Sequence, residues 1–148
     1  MKATVALAKD TLFYLALLAG PLFWLALFHL LDPGLRWDWP LHRPGLFLMP
    51  ALVYPVLEEI AFRGLLQELV RDHISTASIG PLTVANLLTS VLFAAAHLFY
   101  HAPSWAALVF FPSLVFGFFK ERTGALTAPI LLHAFYNAGY IWLFSAPG

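Results

Sequence analysis

The sequence predicts an all-α fold, a polytopic bundle of about five transmembrane helices in a single domain. Three observations carry that prediction. Hydrophobic residues fill 61% of the 148 positions and charged residues only 11%, against about 25% charged in soluble domains. The chain therefore lacks the polar surface that coats a water-facing globule. Mean hydropathy is +0.79, and apolar runs recur at about 20 residues, the length that crosses a bilayer core of roughly 30 Å. The same composition excludes other classes. Net charge is zero with the basic residues scattered, which leaves no footprint for nucleic acid. There is no cysteine, hence no disulfide, thiol nucleophile or thiolate metal site.

Residues 12–31 form the first run, an anchor helix between Lys9-Asp10 and Asp32-Pro33-Gly34. It is too long for the apolar region of a signal peptide and has no small-residue cleavage site before Asp32, so it reads as retained. Residues 32–45 make a polar connection (Asp32, Arg36, Trp37, Asp38, Trp39, His42, Arg43) whose tryptophans suit the membrane interface. Residues 45–144 are the core. A second helix over roughly 45–70 ends at Arg71-Asp72-His73, a Ser/Thr/Gly turn covers 74–80, and Pro81 opens a third helix over about 81–100. There Asn86, Ser90, Phe93 and His97 follow steps of 4, 3 and 4 and share one face. A fourth run covers about 104–119, with Pro112 and Gly117 predicting a bend. Lys120-Glu121-Arg122-Thr123-Gly124 reads as a turn, and a fifth run covers about 125–144. Glu68, Arg71, Asp72 and Lys120-Glu121-Arg122 read as solvated helix ends. Lys2, Lys9, Arg71, Lys120 and Arg122 fall on one side and Arg36 and Arg43 on the other, five against two, which places the N-terminus in the cytoplasm.

The second run holds Tyr54-Pro55-Val56-Leu57-Glu58-Glu59-Ile60-Ala61-Phe62-Arg63-Gly64. Each charge at mid-membrane costs roughly 2.5–3.5 kcal/mol. Three unpaired would cost on the order of 8–10 kcal/mol, comparable with the stability of an ordinary fold. Such residues persist when they are paired, wetted or needed for chemistry. Glu59 and Arg63 stand i,i+4 with the acid first, the better order for an ion pair. Glu58 points about 100° away on the helical wheel and has no basic partner one turn on. Pro50 and Pro55 lie upstream, and Pro55 leaves the Ala51 carbonyl without its helical donor. A kinked helix beside an acid suits a hydrated pocket. The competing reading is a structural charge cluster that ties helices together.

Glu58, His97, His133 and Asn137 lie inside three different spans, at depths within about 10 Å of one another. One pocket can hold them all. A carboxylate free of ion pairing serves as general base on water, and a His opposite it shares that water. A His and an Asn one turn apart offer two donors to an oxyanion. The set is competent for peptide-bond hydrolysis without a nucleophilic side chain. Glu58, His97 and His133 are also ligand types for zinc, although no His-Glu-x-x-His occurs, so a metal-free and a zinc-dependent reading both stand.

These residues carry a resemblance. Glu58-Glu59-x-x-x-Arg63, Phe93-x-x-x-His97 and His133-x-x-x-Asn137 follow in that order on successive helices. Their flanks are Phe62-Arg63-Gly64 and Arg122-Thr123-Gly124-x-Leu126-x-Ala128-Pro129-Ile130-x-Leu132-His133-Ala134. Over about 50–144 the chain resembles the CAAX-protease and bacteriocin-processing family of intramembrane proteases. The resemblance implies Glu58 as the base helped by His97, His133 and Asn137 as oxyanion donors, Glu59 and Arg63 as a supporting pair, and Phe93 as a packing residue. It implies a glutamate-type intramembrane endopeptidase without a cofactor, zinc being the alternative, in a bacterial plasma membrane. The implied substrate is a membrane-attached protein or peptide cut near its C-terminal tail. The chain is short, with one helix ahead of the core, and compact members resemble proteases associated with bacterial sorting tails. The family also includes immunity or scaffold-like proteins, which would use the pocket to hold a partner. A proton or small-solute carrier is a further alternative for intramembrane Glu and His, though no internal repeat supports two access states.

Overall fold

The apolar runs become helices, six in all among the described residues. The computed structural model describes residues 7–31, 34 and 36–147; Lys2, Asp32 and Pro33 lie outside them. The helices are α1 (Thr11–Leu31), the single-turn α2 (Trp39–His42), α3 (Pro44–His73), α4 (Val84–His97), α5 (Pro103–Thr123) and α6 (Thr127–Phe144). Of these, α1, α3 and α5 are long and apolar enough to cross a bilayer. The 14 residues of α4 reach about 21 Å, short of a core of roughly 30 Å. The expected third helix over 81–100 is therefore too long, for two local reasons. Gly80, with φ 62°, and Pro81 form the tip of a two-residue antiparallel ladder, β1 (Ser78–Ile79) with β2 (Leu82–Thr83). Thr83 then caps α4, its Oγ1 accepting from the Asn86 N–H at 2.9 Å. At the far end Leu98-Phe99-Tyr100 leave the helix as turns.

Glu68 and the charged residues at the end of α5 are paired within the bundle rather than solvated, a second correction, while Arg71 and Asp72 stay exposed as expected. Arg122 donates to both oxygens of Asp10, at 2.6 and 3.2 Å, and Asp10 is buried. The Arg122 hydrogen bond holds the Asp10 carboxyl below the usual carboxylate range. Lys120 and Arg71 both pair with Glu68. Glu121 accepts from Gln67 Nε2 at 2.8 Å and Thr83 Oγ1 at 2.5 Å. With these partners in place α5 runs on to Thr123 and stops at Gly124, whose φ of 70° closes it. The pairs gather the starts of α1 and α4 with the ends of α3 and α5 at one end of the bundle.

At the opposite end the connection after α1 is stitched to the residues after α6. Trp39 Nε1 donates to Trp142 O at 2.9 Å, Trp142 Nε1 to Trp37 O at 3.0 Å, and Arg36 to Pro147 O at 2.5 Å. Trp37 is exposed, as an interfacial residue should be, but Trp39 is buried with Ala51 and Ile141. Its reading as a belt residue is thereby corrected. Phe13, Phe116, Phe119, Ala128 and Leu132 form the other core cluster. Glycine sets two close helix crossings. A Cβ on Gly117 would stand 2.0 Å from Asn86 Oδ1, and one on Gly139 would stand 2.2 Å from the Trp24 ring. The first lets α4 lie against α5, where Asn86 Nδ2 donates to Leu114 O at 2.9 Å. The second seats α1 on α6, where Tyr136 donates to Ala16 O at 2.5 Å.

Candidate active site

Two wide turns shape α3 around its acids. Met49–Val53 and Ile60–Leu66 wind as π-helix, a form that inserts a residue into the ladder and recurs at functional sites. The prolines account for the first. Tyr54 N–H reaches back to Met49 O, and Pro55 has no N–H to give. In that register Pro55 leaves the Pro50 carbonyl without a donor, and Asn137 Nδ2 donates to it at 3.0 Å. A pocket lies beside this segment. A cavity of about 810 Å³ is lined by Glu58, Phe93, His97, His133 and Asn137 together. Three helices, α3, α4 and α6, thus bring the four polar groups singled out in the sequence to one hollow.

Glu58 is half-buried, and its Oε2 lies 3.7 Å from His133 Nε2. Behind the wall, Glu59 and Arg63 are completely enclosed and paired at 3.0 Å. The i,i+4 pair expected from spacing is formed, but Glu59 has a second partner that spacing did not suggest. Its Oε1 also accepts from His133 Nδ1 at 2.8 Å. A ring nitrogen engaged in this way fixes which nitrogen faces outward, so His133 turns Nε2 to Glu58 and the cavity. Phe116 stacks on the His133 ring at 4.7 Å and 18°. Arg63 reaches Ser113 as well, its guanidinium lying 4.5 Å from the Phe93 ring centroid. Ser113 and Phe116 were not among the sequence candidates. Their only signal was that they lie three residues apart on one face of α5.

His97 donates Nδ1–H to Phe93 O at 2.9 Å, which leaves Nε2 free. Its ring is held between Phe93 at 4.6 Å and His101 at 5.7 Å. His101 also lines the cavity. Asn137 keeps one of its two amide protons after serving Pro50. Among the described residues no three His, Cys, Asp or Glu side chains are gathered to hold a metal ion; Nδ1 of both histidines is hydrogen-bonded, which leaves Nε2 of each to the cavity.

What the arrangement offers is a carboxylate, two imidazole nitrogens and an amide lining one cavity, with an ion pair bracing one imidazole from behind. No curated protein and no solved structure is matched by the chain. A family model described as type II CAAX prenyl endopeptidase Rce1-like matches residues 40–139, a stretch that holds all four cavity groups. The chain belongs to that family of CAAX proteases, as an integral membrane protein.

Proposed function

We propose that the protein is an intramembrane endopeptidase that hydrolyses a peptide bond near the C-terminal tail of a membrane-attached substrate, with Glu58 activating water. The observation that carries the reading is the shared cavity of Glu58, His97, His133 and Asn137. Glu58 takes a proton from water as the water oxygen attacks the scissile carbonyl carbon. His97 Nε2 orients that water. The carbonyl electron pair moves to oxygen, and the free N–H of Asn137 and Nε2–H of His133 receive the oxyanion. To donate from Nε2 while Nδ1–H stays on Glu59, His133 carries both protons. Arg63 and His133 then balance Glu58 and Glu59, and the buried cluster sums to zero, the condition under which charges persist among apolar side chains. The oxyanion collapses and Glu58 hands its proton to the amide nitrogen as the C–N bond breaks, leaving an amine and a new carboxylic acid that ionises by giving its proton to solvent.

Glu59 and Arg63 support this centre and Phe93 packs it. The protein sits in a bacterial plasma membrane as a multi-pass protein with its N-terminal side cytoplasmic. Lys9, Arg71, Lys120 and Arg122 at one end of the bundle support that orientation. An unprenylated sorting tail is the substrate proposed, with a prenylated tail as its rival. The test is cleavage of both kinds of tail peptide by the purified protein in liposomes, beside Glu58→Gln. Wild type should cut one of them and Glu58→Gln, folded and nearly isosteric, should lose at least 100-fold. Full activity in Glu58→Gln would refute the base and favour a scaffold that holds its partner in the cavity. Cleavage should survive a chelator; loss restored by zinc would replace this reading with a zinc-dependent one.

A further inference from the structure

Behind the cavity wall the polar contacts end on a residue outside every motif. Arg63 Nη1 donates to Glu59 Oε1 at 3.0 Å, while Nη2 donates to Ser113 Oγ at 2.6 Å and Ser113 O at 3.1 Å. Arg63, Glu59 and Ser113 are all fully buried. Guanidinium and carboxylate commonly pair through two parallel bonds; this pair makes one. Glu59 Oε2 and Arg63 Nε are both buried without a hydrogen-bond partner. All of the Glu59 acceptor capacity in use is at Oε1, the atom that also takes His133 Nδ1–H at 2.8 Å. The Phe93 and Phe116 rings, 4.5 and 5.4 Å from the guanidinium carbon, offer no competing acceptor oxygen. The anchor that keeps Arg63 off the two-bond geometry is therefore Ser113 on α5.

We propose that Ser113 is a positioning residue for His133. By holding Arg63 Nη2 on α5, its hydroxyl keeps the Arg63–Glu59 pair single-bonded and leaves Glu59 Oε1 to fix His133 with Nε2 towards Glu58. Without that hydroxyl, Arg63 retains only the Ser113 carbonyl at Nη2. It can then turn its Nε edge onto Glu59 and satisfy both orphaned atoms at once. The carboxylate shared between two guanidinium bonds holds the imidazole less firmly. The catalytic consequence rests on the hydrolytic reading above; the orientation of His133 does not.

Three variants of the full chain in lipid discs separate hydroxyl from shape. Ser113→Thr keeps the hydroxyl, Ser113→Cys keeps the size with a weak acceptor, and Ser113→Ala removes both. Nitrogen-15 spectra of the histidine rings, with His133→Asn assigning the signal, read the ring directly. Wild type and Ser113→Thr should show His133 protonated and hydrogen-bonded at Nδ1. Ser113→Cys and Ser113→Ala should shift or broaden that signal. On a tail that wild type cuts, the same two variants should lose about tenfold in kcat, with KM within about twofold. An unchanged ring signal in Ser113→Ala, or a Cys variant that behaves as wild type, overturns the proposal. Should wild type cut no tail, the hydrolytic reading falls, and the ring spectrum still decides the role of Ser113.

Discussion

Gly117→Ala is expected to destabilise the bundle, although helix preference points the other way. Alanine is favoured over glycine in a helix interior by about 1 kcal/mol. Against that gain, the new Cβ would lie 2.0 Å from Asn86 Oδ1 and 2.5 Å from its Cγ. Asn86 is 0% exposed and cannot swing into solvent. Its amide donates to Leu114 O at 2.9 Å, and its Oδ1 accepts from Ser90 Oγ at 3.2 Å. Either the amide leaves these partners, at roughly 1–3 kcal/mol for each group stranded, or α4 is pushed off α5, an overpacking cost of about 1–3 kcal/mol. Less the helix gain, the net loss is about 1–5 kcal/mol by the first route, with two groups stranded, and up to about 2 kcal/mol by the second. Unfolding in mixed micelles, followed by helicity against rising SDS fraction, measures it. Asn86→Ala in the Gly117→Ala background removes the clash, so the double variant should be less damaged than the sum of the singles by about 1 kcal/mol or more. A Gly117→Ala protein as stable as wild type, or strictly additive losses, would refute this account of how α4 meets α5.

Asn137→Ala should lower kcat by about 100-fold through loss of an oxyanion donor. It should also loosen α3 by about 1 kcal/mol, because Pro50 O loses its hydrogen bond. Intact kcat in a folded variant counts against the donor role. The Asp10–Arg122 pair predicts a pH signature. The Arg122 hydrogen bond depresses the folded-state Asp10 carboxyl below 3.8, so its stabilising contribution is present above that value and lost as pH falls through the depressed one. Asp10→Asn should lower Tm at neutral pH, and its gap from wild type should close on acidification. A gap constant across the range would show that the pair contributes through packing alone.

Helix content was legible because apolar runs of bilayer length leave few alternatives to a chain that must satisfy its own backbone. So was the Glu59–Arg63 pair, which depends only on helical spacing. That Glu58 approaches His133 and shares a cavity with His97 is consistent with depth, a one-dimensional quantity that sequence order preserves. What escaped was lateral. Nothing in the sequence distinguishes Ser113 from another helical serine, since its value comes from a partner 50 residues away. The same holds for Glu121, read as a solvated end until Gln67 and Thr83 supply its donors. The length of α4 was misjudged because apolar Leu98-Phe99-Tyr100 satisfy a hydropathy pattern without satisfying a helix. Trp39 was misread because a tryptophan is equally at home at the lipid boundary and under a polar strap.

The widened turn at Ile60–Leu66 also limits how the gene can vary. Each residue turns a helix by about 100°, so a one-codon deletion there would tidy the spiral and break its phase. With Gln67 still docked on α5, everything upstream would rotate, and both glutamates would face away from the imidazole they now flank. Substitutions in this stretch can be graded by size and charge; a change in its length has no mild form.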